Sequence, residues 1–128
     1  MDDDDETYRG VPLSELQINA VDWTQAAEHI RTRTLRYSER PEFDVEPEWA
    51  SQATLDARRL VATTSGESLE VIGRSDSAPR REDAEDGEVG RILKAWIVPL
   101  DLEEGIWEGA SACDANQRAR KAYKEAQQ

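Results

Sequence analysis

Few side chains in this sequence are equipped for chemistry. His29 is the single histidine, and therefore the one residue whose ordinary pKa lies near neutrality, a candidate for proton transfer. Its place beside Ile30, on the flank of an apolar stripe, equally suits a boundary histidine bonded to a neighbour. Arg74 and Arg91 stand at the end of one strand-like run and the start of the next. If those runs pair antiparallel, the two guanidiniums come close and could clamp a phosphate bidentately. The competing reading pairs them with the acids between them, at a surface where such contacts contribute about 0–1 kcal/mol. Lys94 shares a sheet face with Trp96 if the run is a strand; it could touch a phosphate beside a base, or guard an edge. Cys113 precedes an expected helix, where amide dipoles can lower a thiol's pKa, but no histidine is expected beside it and a small, partly buried residue is the alternative. No HExxH or His/Cys spacing exists, so neither a metal nor another cofactor is expected.

The elements that must hold these residues belong to one core, because 128 residues divide badly into two. Hydrophobic residues make up 38% and charged residues 34% of the chain, which leaves room for unpacked segments. No window reaches the roughly 18 apolar residues of a membrane span, and the start is aspartate-rich where a secretory signal would be basic and then apolar. A lone cysteine makes no internal disulfide, so a cytoplasmic location and no membrane partner are expected. The formal charge of −12 repels nucleic acid over most of the surface, so any RNA contact must be local, and a basic protein fits the overall charge better.

The acidic block 2–6 followed by turn-prone Arg9, Gly10 and Pro12 reads as a flexible tail over residues 1–14, with one domain over 15–128. Alternation of Leu16, Ile18 and Ala20 suggests a short edge strand. Asp22 and Gln25 have capping-box spacing, which predicts a helix from Trp23 to about Tyr37 with Trp23, Ala27 and Ile30 inward, ended before Pro41. Pro47, flanked by Glu46 and Glu48, opens a second helix with Trp49 and Ala53 inward. Residues 59–63, 68–74 and 91–100 carry strand composition and predict an antiparallel meander. The connection 64–67 is hairpin-sized, whereas 75–90 holds six acids against two arginines and reads as a disordered acidic loop. The small residues within 106–112 suit a strand approached closely by other backbone. Asp114 with Gln117 predicts a capped last helix over about 115–126, Ala115, Ala119, Ala122 and Tyr123 inward. Two basic patches remain: Arg118, Arg120, Lys121 and Lys124 on that helix, and Arg31, Arg33, Arg36 and Arg40 in and after the first. Each is a solvated face, a docking face or an RNA-contacting edge. The fold class expected is α+β, a small twisted antiparallel sheet of three to five strands with two N-terminal helices and one C-terminal helix.

The words Val71-Ile72-Gly73-Arg74-Ser75, then Gly90-Arg91-Ile92-Leu93, then Ala110-Ser111-Ala112 leading into Ala115-Asn116-Gln117-Arg118 and Lys121-Ala122-Tyr123 resemble, in wording and order, the BrnT-type toxin family. More loosely, Trp23 with Glu28-His29-Ile30 looks like that family's first helix, Val45-Glu46-Pro47-Glu48-Trp49 like the start of its second, and Asp56-Ala57-Arg58-Arg59 like its link into the sheet. The resemblance spans residues 17–126 in outline. It implies a RelE-like fold and a ribonuclease toxin neutralised by a cognate antitoxin. Metal-free RNA cleavage needs a base for the 2′-hydroxyl proton, cations for the phosphorane charge and an acid for the leaving oxygen; Arg74, Arg91, His29 and Lys94 are the candidates here. Two departures fall on that chemistry. Where the family carries arginines after the Ser-Ala pair this chain has Cys113 and Asp114, and where its first helix carries a further histidine this chain has Arg33. The expected function is thus a BrnT-like toxin that contacts RNA, with a non-enzymatic acidic interaction domain on the same scaffold as the alternative.

Overall fold

The computed structural model describes residues 6–36 and 43–127. Its centre is a five-stranded sheet in the order β3-β7-β6-β5-β4, built from β3 (Ala20–Asp22), β4 (Leu60–Thr63), β5 (Leu69–Ser75), β6 (Arg91–Asp101) and β7 (Ile106–Asp114). The meander β4 to β7 is antiparallel throughout, as the strand-like runs predict. The edge strand β3 pairs parallel to β7, so the sheet is mixed rather than wholly antiparallel. That pairing is topological in origin: the chain leaves β3, crosses the whole sheet through its helices to start β4, and three antiparallel returns bring β7 back beside β3 in the same direction.

Period-two alternation sorts the side chains. Leu69 and Val71 of β5, Leu93, Ala95 and Ile97 of β6 and Trp107 and Ala112 of β7 are buried and form the main core with Trp23, Ile30, Val45, Ala50 and Ala53. Helices α1 (Ala27–Arg31) and α3 (Pro47–Thr54) supply that other side. The opposite sheet face is covered only in part. There Ile92, with Leu60 and Ile72 beside it, receives Ala115 from the link after β7 and Ala119 and Tyr123 from α4 (Gln117–Ala126). Ala122, expected inward, is exposed.

Helix α3 begins at Pro47 as expected, and the Thr54 hydroxyl closes its last turn on the Ala50 carbonyl at 3.0 Å. The first helix departs from expectation. Asp22 accepts from the Thr24 amide at 2.9 Å instead of capping Gln25, helix starts only at Ala27, and it is interrupted at Thr32 before the short α2 (Arg33–Arg36). Thr32 donates to the Glu28 carbonyl at 2.7 Å, and Asp44 accepts from both the amide and the hydroxyl of Thr34 at 2.8 and 3.0 Å. Local side-chain bonding of this kind competes with a continuous helix. The helix end expected near Pro41 lies outside the described residues. The last helix is capped by Asn116, which accepts from the Ala119 amide at 2.8 Å, and not by Asp114, which closes β7.

The described part of the expected tail, residues 6–14, and the acidic loop 75–90 are packed, while residues 1–5 lie outside the described residues. Thr7–Tyr8 (β1) and Val11–Pro12 (β2) form a hairpin whose two-residue turn puts Arg9 and Gly10 at φ 51° and 84°, the left-handed geometry that tight hairpins use. Tyr8 is buried against Trp107 with ring centroids 5.6 Å apart, and its hydroxyl donates to the Glu67 carbonyl. Burying one aromatic side chain is enough to dock the segment. The loop between β5 and β6 is held by Ala78, itself buried, and by ion pairs described below. The four strands, the second helix and the last helix were thus locally legible; the parallel edge, the hairpin and the docked loop were not.

Candidate functional site

Arg74 and Arg91 do not converge, although β5 and β6 are neighbours. The register pairs Arg74 with Ile92 and Ser75 with Arg91, a one-residue offset that sends the two side chains to opposite sheet faces. On the α4 side, the Arg74 guanidinium lies 5.6 Å from the Tyr123 ring centroid, donates to the Val89 carbonyl at 2.6 Å and stands 3.8 Å from Glu88. On the α3 side, Arg91 lies 3.8 Å over the Phe43 ring and 3.7 Å from Asp114. The proposed two-arginine phosphate clamp is therefore corrected: the neighbouring strands are right, the shared face is not.

Arg91 belongs instead to a cleft of about 930 Å³ at the end of β7. Its walls come from five parts of the chain: Arg33 of α2, Phe43 before α3, the loop residues Arg81, Glu82 and Asp83, the β6 residues Arg91, Lys94 and Trp96, and Cys113 to Asn116 with Arg120 of α4. Five cations face three acids there, in a chain of net charge −12. The arrangement reverses the sign of the overall charge locally, which is the condition for drawing a polyanion to one place. At the centre Asp114 receives a hydrogen bond from Arg81 and lies beside Arg91, with the three side chains only 25%, 11% and 24% exposed for Arg81, Arg91 and Asp114. Burial lowers the Arg91 pKa, the nearby cations Arg81 and Arg120 add to that, and Asp114 opposes it. Burial also pulls on Arg81, but its bonds to Asp114 and Asp83 prevail and raise it. The Arg91 Nε and the Asp114 Oδ1 face each other at 3.7 Å, both buried and neither within hydrogen-bond distance of a partner.

Lys94 shares its face with Trp96, as alternation predicts, its ammonium 5.9 Å from the indole centroid and 3.1 Å from Glu70. Cys113 is half-buried and sits opposite Lys94 in the β6–β7 register. His29 is exposed on α1 and is not among the residues lining the cleft. Of the four candidates, then, Arg91 and Lys94 line one cleft from opposite sheet faces, Arg74 lines another, and His29 is exposed on α1 outside both. Arg81 and Asp114 escaped sequence reading for a physical reason. Arg81 looks like one of two cations diluted in an acidic loop, and Asp114 looks like a cap because Asn116, the true cap, has the same chemistry two residues later. The basic face of α4 is not simply solvated, since Lys124 pairs with Glu88 at 2.8 Å. Of the first patch, Arg31 pairs with Glu46 at 2.9 Å and Arg33 reaches the cleft, while Arg40 lies outside the described residues.

A second polar node lies on the Arg74 side. Asp56 accepts from the Tyr123 hydroxyl at 2.5 Å and from the amides of Arg74 and Arg58 at 2.9 Å each, tying the end of α3 to β5 and α4. Burial by itself raises the Asp56 pKa, but the bonds from Tyr123, Arg58 and Arg74 outweigh it and hold the carboxyl below its ordinary 3.8. Burial, reinforced by Asp56, pushes the Tyr123 hydroxyl up to about 12. The signs follow. A depressed Asp56 contributes stability above its ordinary value, lost as pH falls through its folded value. A raised Tyr123 contributes stability in full below 10, lost as pH rises through about 12. Tyr123→Phe is expected to lower the melting midpoint at neutral pH by removing one charge-assisted bond, about 1.5–3 kcal/mol, and to flatten the fall in stability between pH 10 and 12. Thermal melts across pH check this, and an unchanged alkaline limb in the variant would refute it.

Among the described residues no group of three or more His, Cys, Asp or Glu side chains is placed to hold a metal ion, and no helix is long and apolar enough to cross a membrane. The fold and site together define an α+β protein with a mixed sheet and a cationic cleft at one strand end. The chain matches no family model, no curated protein and no solved structure.

Proposed function

We propose that this chain is a BrnT-like toxin module that contacts RNA through the cleft at the end of β7, and that a partner covering this cleft, such as a cognate antitoxin, silences it. The observation that carries the reading is the gathering of Arg33, Arg81, Arg91, Lys94 and Arg120 around one opening with Phe43 and Trp96, in a chain whose overall charge repels phosphate. Cations that neutralise phosphates supply nucleic-acid affinity, and aromatic faces accept bases. The resemblance supports it as well, because Ser111-Ala112-Cys113-Asp114, the segment where the family's arginines would stand, leads into this cleft.

Cleavage has weaker support than binding. A general base must reach the proton it removes, yet His29 is outside the lining residues and Asp114 is occupied by Arg81 and Arg91. This favours, as a second reading, an RNA contact without turnover, with function exerted by occupancy.

Expression of the chain alone in a bacterial host is the test. Growth arrest with fragmented RNA supports a ribonuclease toxin; arrest with intact RNA that copurifies with the chain supports the binder. Normal growth together with no retained RNA overturns both. The paired substitution Lys94→Ala and Arg120→Ala is expected to relieve the arrest. It should also reduce the slope of log affinity against log salt by about 0.7 for each phosphate contact removed.

A further inference from the structure

The sheet face opposite the main core is covered by α4 over Ile92, Ile72 and Leu60 only. From the edge of that cover outward the register sets two rows across three strands: Ile72, which α4 reaches, with Lys94 and Cys113, then Glu70, Trp96 and Ser111. Every one of these side chains is half-buried, none fully covered. Trp96 is the aromatic of the outer row and also lines the cationic cleft, with the Lys94 ammonium 5.9 Å from its ring. A β-bulge follows directly, where the pairing with β7 shifts between Trp96 and Ile97; bulges of this kind re-aim the side chains around them. An indole on an open sheet face, bordered by a cation and by polar groups, has the properties of a stacking platform. The tie between Lys94 and Glu70 at 3.1 Å is about one-fifth exposed on both sides, so a phosphate can exchange for the carboxylate.

We infer that Trp96 stacks an unpaired nucleobase of a single-stranded RNA whose adjoining phosphate is held by Lys94 at the mouth of the cleft. The inference rests on the reading of the cleft as an RNA contact and adds to it a demand for single strands. Bases inside a duplex are already stacked and offer no face to the indole, whereas the phosphates of both forms are available to the cations. Trp96 therefore discriminates between strands, and the cations do not.

The experiment compares the full chain with Trp96→Ala and Trp96→Phe, using a short labelled single-stranded RNA and the same sequence as a duplex, by fluorescence anisotropy at several salt concentrations. Trp96→Ala is expected to weaken single-strand binding about tenfold, to leave duplex binding unchanged and to leave the salt slope unchanged, because no charge is removed. Trp96→Phe keeps an aromatic face and most of the affinity. The unlabelled single strand should quench part of the fluorescence of the four tryptophans in the parent chain, and that part should vanish in Trp96→Phe. If Trp96→Ala fails to fold, the phenylalanine variant and the quenching decide. Equal single-strand affinity in the parent and the alanine variant, or equal losses for single strand and duplex, overturns the stacking role while leaving the cleft as a phosphate site. Absence of binding by the parent chain to either form overturns the cleft reading and the stacking role together.

Discussion

Gly73→Ala is expected to destabilise the protein by about 3 kcal/mol, at the upper end of the overpacking range. A Cβ at Gly73 would lie 1.9 Å from the Ala53 carbonyl oxygen and 2.8 Å from its carbonyl carbon. Both are backbone atoms at the end of α3, so no flexible side chain can give way; the helix itself must lift from β5. That would open the interface where Ala50 and Ala53 meet Leu69 and Val71, all of them buried, and would pull Asp56 away from the amide of Arg74. Gly66→Ala supplies the control, since a Cβ there meets only the Thr64 hydroxyl at 3.9 Å. Urea midpoints for the two variants should differ by a large fraction of the total stability, typically about 5–15 kcal/mol for a domain. Similar midpoints for both would mean that the direct seating of α3 on β5 is wrong.

Asp114→Asn is expected to move stability and affinity in opposite directions. The carboxylate is the counter-ion of two guanidiniums, Arg81 and Arg91, and removing one partner of a largely buried pair leaves the others uncompensated. Full burial makes that loss about 3–5 kcal/mol; with Arg81 and Asp114 each about a quarter exposed, about 2 kcal/mol is expected once solvent screening is counted. The released guanidiniums then face the cleft. On the proposed RNA contact, affinity for single-stranded RNA should then rise about tenfold at low salt, and the dependence on salt should steepen by about 0.7 for each new phosphate contact. Urea unfolding and anisotropy titrations at two ionic strengths measure both arms. A fall in affinity would show that Asp114 orders the cleft for its ligand rather than competing with it.

The same cluster explains why the loop between β5 and β6 is not the disordered acidic excursion that its composition suggests. Six acids in a short stretch read as solvated, but Arg81 reaches Asp114, Glu88 reaches Lys124, and Ala78 is buried. These contacts link residues far apart in the chain, and composition is blind to them. Gly109 illustrates the converse. Small residues in that strand suggested a close approach by other backbone; the approach is real, but the group is a side chain, the Trp23 indole, whose nearest carbon lies 2.1 Å from where a Cβ would stand. Residue size announces the space and is blind to what fills it.

What the amino-acid sequence determined by itself was therefore local. The two-residue alternation of β6, the proline start of α3, the hairpin between β4 and β5 and the inward Ala119 and Tyr123 of α4 are set by side-chain chemistry within a few residues of each position. Lys94 and Trp96 share a face for the same reason. The α+β class followed from those elements alone. Tertiary structure decided the rest, because it depends on register and on long-range pairing. A one-residue offset between β5 and β6 sends Arg74 toward Tyr123 and Arg91 toward Phe43. The return of β7 beside β3 makes one edge parallel. Five cations far apart in an acidic chain meet at a single opening because the helices, the β5–β6 loop and the end of β7 all close on the same corner of the sheet.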